Sequence, residues 1–106
     1  MSRRVRKRYL AFRVVSDQSI SKRDVADAVW NAVLRLFGEY GTSQTNLALI
    51  EYDQEKSWGI IRCSHRAVEM VRASITSLTE INEKPVAIHV LGVYGTLKAL
   101  RRKVSL

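Results

Sequence analysis

At 106 residues the chain is one domain, able to bury about 65% of its unfolded surface but too short for a cofactor domain plus a substrate domain. Its formal charge of +8 is terminal: Arg3, Arg4, Arg6, Lys7 and Arg8 open the chain, Lys98, Arg101, Arg102 and Lys103 close it, and nine basic residues face ten acidic ones in between. No apolar run approaches the ~20 residues of a membrane span, so neither span nor signal peptide is expected, and a single cysteine, Cys63, excludes an internal disulfide and fits a reducing cytoplasm.

In chain order, residues 8–16 are rich in aromatic and β-branched types and read as a first strand. Ser21 with Asp24 three residues on is a capping-box variant that opens a helix through about Phe37, closed by Gly38 and Gly41. Residues 46–53 and 57–63 form two strands joined by the polar turn Asp53-Gln54-Glu55-Lys56, a link short enough for an antiparallel hairpin. Ser64 is placed to cap a second helix carrying Val68, Val71, Ile75 and Leu78 on one stripe. Asn82 to Pro85 turn the chain, residues 86–94 give a fourth strand, and Thr96 caps a short basic helix.

Strand, helix, strand, strand, helix, strand is the split βαβ order of the ferredoxin-like fold, which RNA-recognition modules share. The expected class is therefore α+β: a four-stranded antiparallel sheet, two main helices and an added basic C-terminal helix. The whole of 1–106 is taken as one domain, with basic segments at 1–8 and 96–106. This fold hosts enzymes, metabolite sensors and ribosomal proteins alike, so function has to come from sites.

Basic segments around a near-neutral body mark a protein that grips a polyanion, because each Lys or Arg that meets a phosphate releases condensed counterions. The plain alternative is a pair of solvated tails. Period-2 alternation turns Leu10, Phe12 and Val14 toward the helices and Tyr9, Ala11, Arg13 and Val15 away from them; in strand three it turns Trp58, Ile60 and Arg62 outward and Gly59, Ile61 and Cys63 inward. Residues 56–63 partly echo the RNA-recognition signature, with Ile60 where a second stacking aromatic belongs, which leaves Trp58 and Tyr9 as the candidate stacking pair. The competing expectation, which the two-sided apolar strands 47–50 and 86–93 favour, is that this face is covered by the basic helix or by a partner.

A second candidate is the turn around Gly92, Gly95 and Thr96, where glycines allow close backbone approach ahead of Lys98, Arg101, Arg102 and Lys103. A third is the first helix, whose apolar residues spread over about two thirds of its circumference at ~100° per residue. Trp30, Leu34 and Phe37 therefore form a stripe that one sheet cannot bury, to be covered by this chain, a second copy or another protein. No catalytic residue is assigned. His65 and His89 stand alone, no nucleophile motif or phosphate loop is present, and Glu51 and Asp53 are read as facing opposite sides of a strand.

Four segments carry a family resemblance: 8–14 (RYLAFRV), 28–41 (AVWNAVLRLFGEYG), 59–63 (GIIRC) and 91–103 (LGVYGTLKALRRK). Together, in this order and spacing, they resemble the protein component 2 family of archaeal ribonuclease P, related to a small subunit of eukaryotic ribonuclease P and MRP. The resemblance implies a non-catalytic protein subunit of a tRNA-processing ribonucleoprotein. Its RNA removes 5′ leaders from precursor tRNA with Mg²⁺, the chain itself binds no cofactor, and its partners are the ribonuclease P RNA, precursor tRNA in the complex and protein component 3. It also implies that the segment 92–103 contacts RNA. The RNA-binding candidates are thus Arg3, Arg4, Arg6, Lys7, Arg8, Arg13, Arg62, Gly95, Thr96, Lys98, Arg101, Arg102 and Lys103. A ribosomal or other structural RNA-binding protein, and a metabolite-sensing or acylphosphatase-like domain, remain the alternatives on composition and fold.

Overall fold

The computed structural model describes residues 6–104, so Arg3 and Arg4 lie outside it. The elements are β1 (Lys7–Val15), α1 (Lys22–Ser43), β2 (Ala48–Asp53), β3 (Trp58–Ser64), α2 (Val68–Thr76), β4 (Glu80–Ile81), β5 (Lys84–Pro85), β6 (Ala87–Tyr94) and α3 (Leu97–Lys103). β2, β3, β1 and β6 lie side by side in that order, every neighbour antiparallel. This is the expected α+β, split βαβ architecture, with β1 central because it is apolar on both faces.

On one face Leu10, Phe12 and Val14 of β1 meet Ile61 and Cys63 of β3 and Ile88 of β6. α1 covers them with Val25 and Val29, and α2 with Val71 and Ile75. The alternation read from the sequence therefore holds on both central strands. Gly59 belongs to this packing: a Cβ there would stand 2.7 Å from the Phe12 ring and 2.8 Å from the Glu51 carbonyl oxygen, so the aromatic ring takes the space a side chain would need.

Several boundaries differ from expectation. The Ser21 hydroxyl caps α1 as predicted, accepting from the Asp24 N–H at 3.2 Å, while the Asp24 carboxylate accepts from the Asn82 side-chain amide at 3.4 Å. The helix does break at Gly38, at φ 73 and ψ 178, a backbone region open to glycine and almost nothing else. It then resumes to Ser43, held by the buried Thr42, whose hydroxyl donates to the Gly38 carbonyl at 2.7 Å, so Gly41 lies within the added turn instead of closing the helix. Ser64 does not cap α2. Its hydroxyl donates to the Gln44 carbonyl at 3.1 Å, and a 3-10 turn, His65–Ala67, leads into the helix, which ends before Leu78. The turn predicted at 82–85 is the tip of a small hairpin, β4 with β5.

Two irregularities set which side chains face where. β2 holds an extra residue, Ile50, between the pairs Leu49 with Ile61 and Glu51 with Ile60, and β6 holds Leu91 between Val90 and Gly92. Each bulge reverses the in-out alternation beyond it. Tyr52 and Val93 consequently join the helix-side core, while Glu51 turns to the other face.

Candidate nucleic-acid interface

The second face of the sheet is apolar at its centre, with Ala11 and Ile60 fully buried and Trp58 only 8% exposed. α3 lies across it. Leu100 is buried there, Leu97 and Val104 pack beside it, and Tyr9, Ile50 and Tyr94 complete the cluster. Leu97 and Leu100 lie on one side of the helix, and Val104 follows just past its end, so the remaining side of α3 faces water. Thr96 starts the helix as expected, its hydroxyl accepting from the Ala99 N–H at 3.1 Å.

This arrangement removes the stacking platform. Trp58 and Tyr9 point to the predicted face, but Trp58 is beneath α3, and its indole N–H is buried without an acceptor. The covered-face expectation is the one the structure bears out, and the occupant is the chain's own basic helix. What the molecule exposes in place of a flat aromatic surface is a row of cations on α3: Lys98, Arg102 and Lys103 are free in solvent.

Arg101 is also exposed but already paired. Its guanidinium donates to Glu51 Oε1 at 2.6 Å, and that hydrogen bond pushes its pKa up further, tying α3 to β2. The contact exists because the Ile50 bulge puts Glu51 on the α3 side. Asp53 pairs with Trp58 and so shares this outer face with Glu51, which corrects the expectation that the two carboxylates face opposite ways: residues two apart on a strand lie on one face. Asp53 Oδ1 accepts from the Lys56 N–H at 3.1 Å.

The other cationic candidates divide into two groups. Lys7 and Arg8 belong to β1 itself, so part of the basic N-terminal segment is strand, and Arg6 precedes it, exposed. The Arg8 guanidinium lies 3.9 Å from where a Cβ on Gly95 would stand, which brings the start of β1 beside the turn into α3. Gly92 serves packing instead of ligand approach, because a Cβ there would stand 2.5 Å from the Tyr94 hydroxyl oxygen. Arg13 sits at the far end of β1, about 20 Å away along the strand at ~3.3 Å per residue. Arg62 is half-buried on the outer face of β3, between Tyr9 and Ala48.

On α1, Trp30 is 45% and Phe37 39% exposed, Leu34 is half-buried, and Leu36 and Tyr40 extend the exposed apolar surface. No described part of this chain covers Trp30 and Phe37. Among the described residues no three His, Cys, Asp or Glu gather as a metal-binding group, and no helix is long and apolar enough to cross a membrane. Cys63 is fully buried, and burial pushes its thiol pKa up to about 11.

Sequence reasoning missed the α3 anchors Leu97 and Leu100 and the Val104 that follows the helix, although their spacing was there to be read. It also missed Glu51 as the counter-ion of Arg101.

Comparison with known proteins agrees with this architecture. The chain is 44% identical over 100 residues to ribonuclease P protein component 2 of Pyrococcus furiosus, spanning 94% of this chain and 83% of that protein. It is 40% identical over 102 residues to the protein of the same name in Methanosarcina mazei, spanning 96% and 86%. A chain in the cryo-EM structure of yeast ribonuclease MRP has the same fold, with a TM-score of 0.72 at 17% identity, covering 92% of this chain and 79% of that one. The sequence model of the Rpp14/Pop5 family matches residues 8–105, and the chain belongs to that family.

Proposed function

We propose that this chain is the component 2 subunit of ribonuclease P, binding the catalytic RNA and supporting its Mg²⁺-dependent removal of 5′ leaders from precursor tRNA. The observation that carries the reading is α3: an apolar stripe fixes it on the sheet, so that Lys98, Arg102 and Lys103 stand as a rigid row of cations with their orientation set in advance. Fixed cations of this kind replace part of the diffuse counterion atmosphere that a folded RNA needs, without supplying the metal at the cleavage site. Arg6, Lys7 and Arg8 add charge at the neighbouring start of β1. Arg101 is already paired with Glu51 and adds less to this row. The Trp30, Leu34 and Phe37 stripe is the surface for protein component 3 or a second copy. The ribonucleoprotein is placed in the cytoplasm.

The test is single-turnover cleavage of precursor tRNA by the RNA subunit reconstituted with component 3, with and without this chain. The protein alone should cleave nothing, and its addition should raise the rate most at low Mg²⁺. Replacing Lys98, Arg102 and Lys103 by Gln together should move the Mg²⁺ requirement upward. His65→Asn and His89→Asn should leave the cleavage step unchanged, since neither is assigned a proton to transfer. Cleavage by the protein without RNA, or a rate indifferent to its presence, would refute the assignment.

A further inference from the structure

On the helix side of the sheet, away from α3, the start of β1 and the turn into α2 enclose a shallow cleft of about 380 Å³. Arg8, His65, Arg66 and Arg72 line it, with Glu69 as the one acidic neighbour. Val68 and Val93 give it partly apolar walls, which weakens water's screening of whatever charge enters. Three arginines line this one concavity with a single carboxylate among them, which leaves an excess of positive charge there.

Two of the three guanidinium groups have donors to spare, whereas that of Arg8 already gives one N–H to the Lys7 carbonyl at 2.9 Å. Arg72 Nε is buried yet has no hydrogen-bond partner, and the nearest carboxylate, Glu69 Oε2, stands 3.9 Å away, too far for a hydrogen bond. Arg66 is exposed, and its only described role is to line this cleft. The main chain holds the site in place: the His65 N–H donates to the Arg6 carbonyl at 2.7 Å, fastening the turn before α2 to the strand that carries Arg8. Through Arg8 the cleft borders the Gly95 turn, and so runs on toward the cations of α3.

We infer that this cleft is a second RNA contact, a clamp for a backbone phosphodiester held by Arg8, Arg66 and Arg72 on the face of the sheet opposite α3. Guanidinium forks match the paired oxygens of a phosphate, and the cleft sets three arginines against a single aromatic ring, the His65 imidazole. An RNA strand passing over the Gly95 turn touches both surfaces, so the subunit grips RNA at its edge and not on its sheet face. This rests on the RNA-binding reading above.

The experiment measures binding of the full chain to the ribonuclease P RNA by fluorescence anisotropy across a salt series. Arg66→Gln and Arg72→Gln should each lower the magnitude of the slope of log K against log salt by about 0.7 to 0.9, the yield of one lost phosphate contact. Glu69→Gln should act in the opposite sense and strengthen binding, which no loss of packing would do. Arg102→Gln on α3 is the reference. If it flattens the slope while both cleft variants match wild type, the clamp is refuted and the RNA-binding function stands; if wild type shows no salt-dependent binding, both fall. As an independent readout, the Arg72 Nε–H signal in nitrogen-15 NMR should shift when RNA is added to wild type. A signal that stays put at saturating RNA would overturn the clamp whatever the variants do.

Discussion

Cys63 shows how far one residue's chemistry is set by its surroundings. The side chain is fully buried between β3 and the helices, and burial pushes its thiol up to about 11. The unfolded chain releases the same proton near pH ~8.5. Between those values the unfolded state holds fewer protons than the folded one, so stability is complete below the lower value and declines as pH rises toward the upper. The expected loss is about 3 kcal/mol at most, because each tenfold difference in proton affinity between the two states is worth about 1.4 kcal/mol. Denaturant melts of wild type and Cys63→Ala at neutral pH and near pH 11 isolate it, because the variant should lack this part of the decline. Rapid reaction of native Cys63 with a thiol reagent at neutral pH would contradict the burial.

At the scale of elements, α3 is the decisive piece. With Leu100 fully buried and flanked by Leu97 and Val104, Leu100→Ala should cost about 2 to 4 kcal/mol in a denaturant melt. It should also expose Trp58, seen as a red shift of its fluorescence. Arg101→Gln removes only an exposed ion pair and should change stability far less than Leu100→Ala does. A melt in which the two variants rank the other way would mean that charge, not the apolar stripe, docks the helix. The order of strands and helices was legible in the sequence because period 2 and period 3.6 are local signals, and the caps Ser21 and Thr96 and the break at Gly38 were legible for the same reason. The Arg101 to Glu51 pair was not, since it depends on the Ile50 bulge, and one extra residue in a ladder leaves no local mark. Nor was the Arg8, Arg66 and Arg72 cleft, because β1, the turn before α2 and α2 itself carry its parts, some 58 to 64 positions apart. Ser64 misled because its hydroxyl had a better partner in the carbonyl of Gln44, far away in sequence.

The whole molecule presents surfaces of opposite character, cationic around α3 and the start of β1, apolar along α1. Trp30 and Phe37 are 45% and 39% exposed, so truncating either should lower the melting of the isolated chain less than Leu100→Ala does, by the part of the ring that this chain already packs. If the stripe is an interface, Trp30→Ala or Phe37→Ala should weaken association with component 3, or self-association, by ~2 kcal/mol or more, the scale of a buried aromatic anchor. Calorimetric titration and sedimentation measure the two cases. Variants that melt early yet bind as wild type would make the stripe part of the fold.

The two bulges have a bearing on the life of the free subunit. Ile50 lies in β2 and Leu91 in β6, and these are the outer strands of the sheet, the two whose far sides carry unpaired amide and carbonyl groups. An extra residue throws those groups out of step halfway along, so a foreign strand that pairs with one half is misaligned with the other. The same insertion that delivers Glu51 to Arg101 thus spoils one edge as a template for fibril growth, and Leu91 spoils the other. While the chain is on its own, both edges of its sheet are guarded in this way against edge-to-edge assembly.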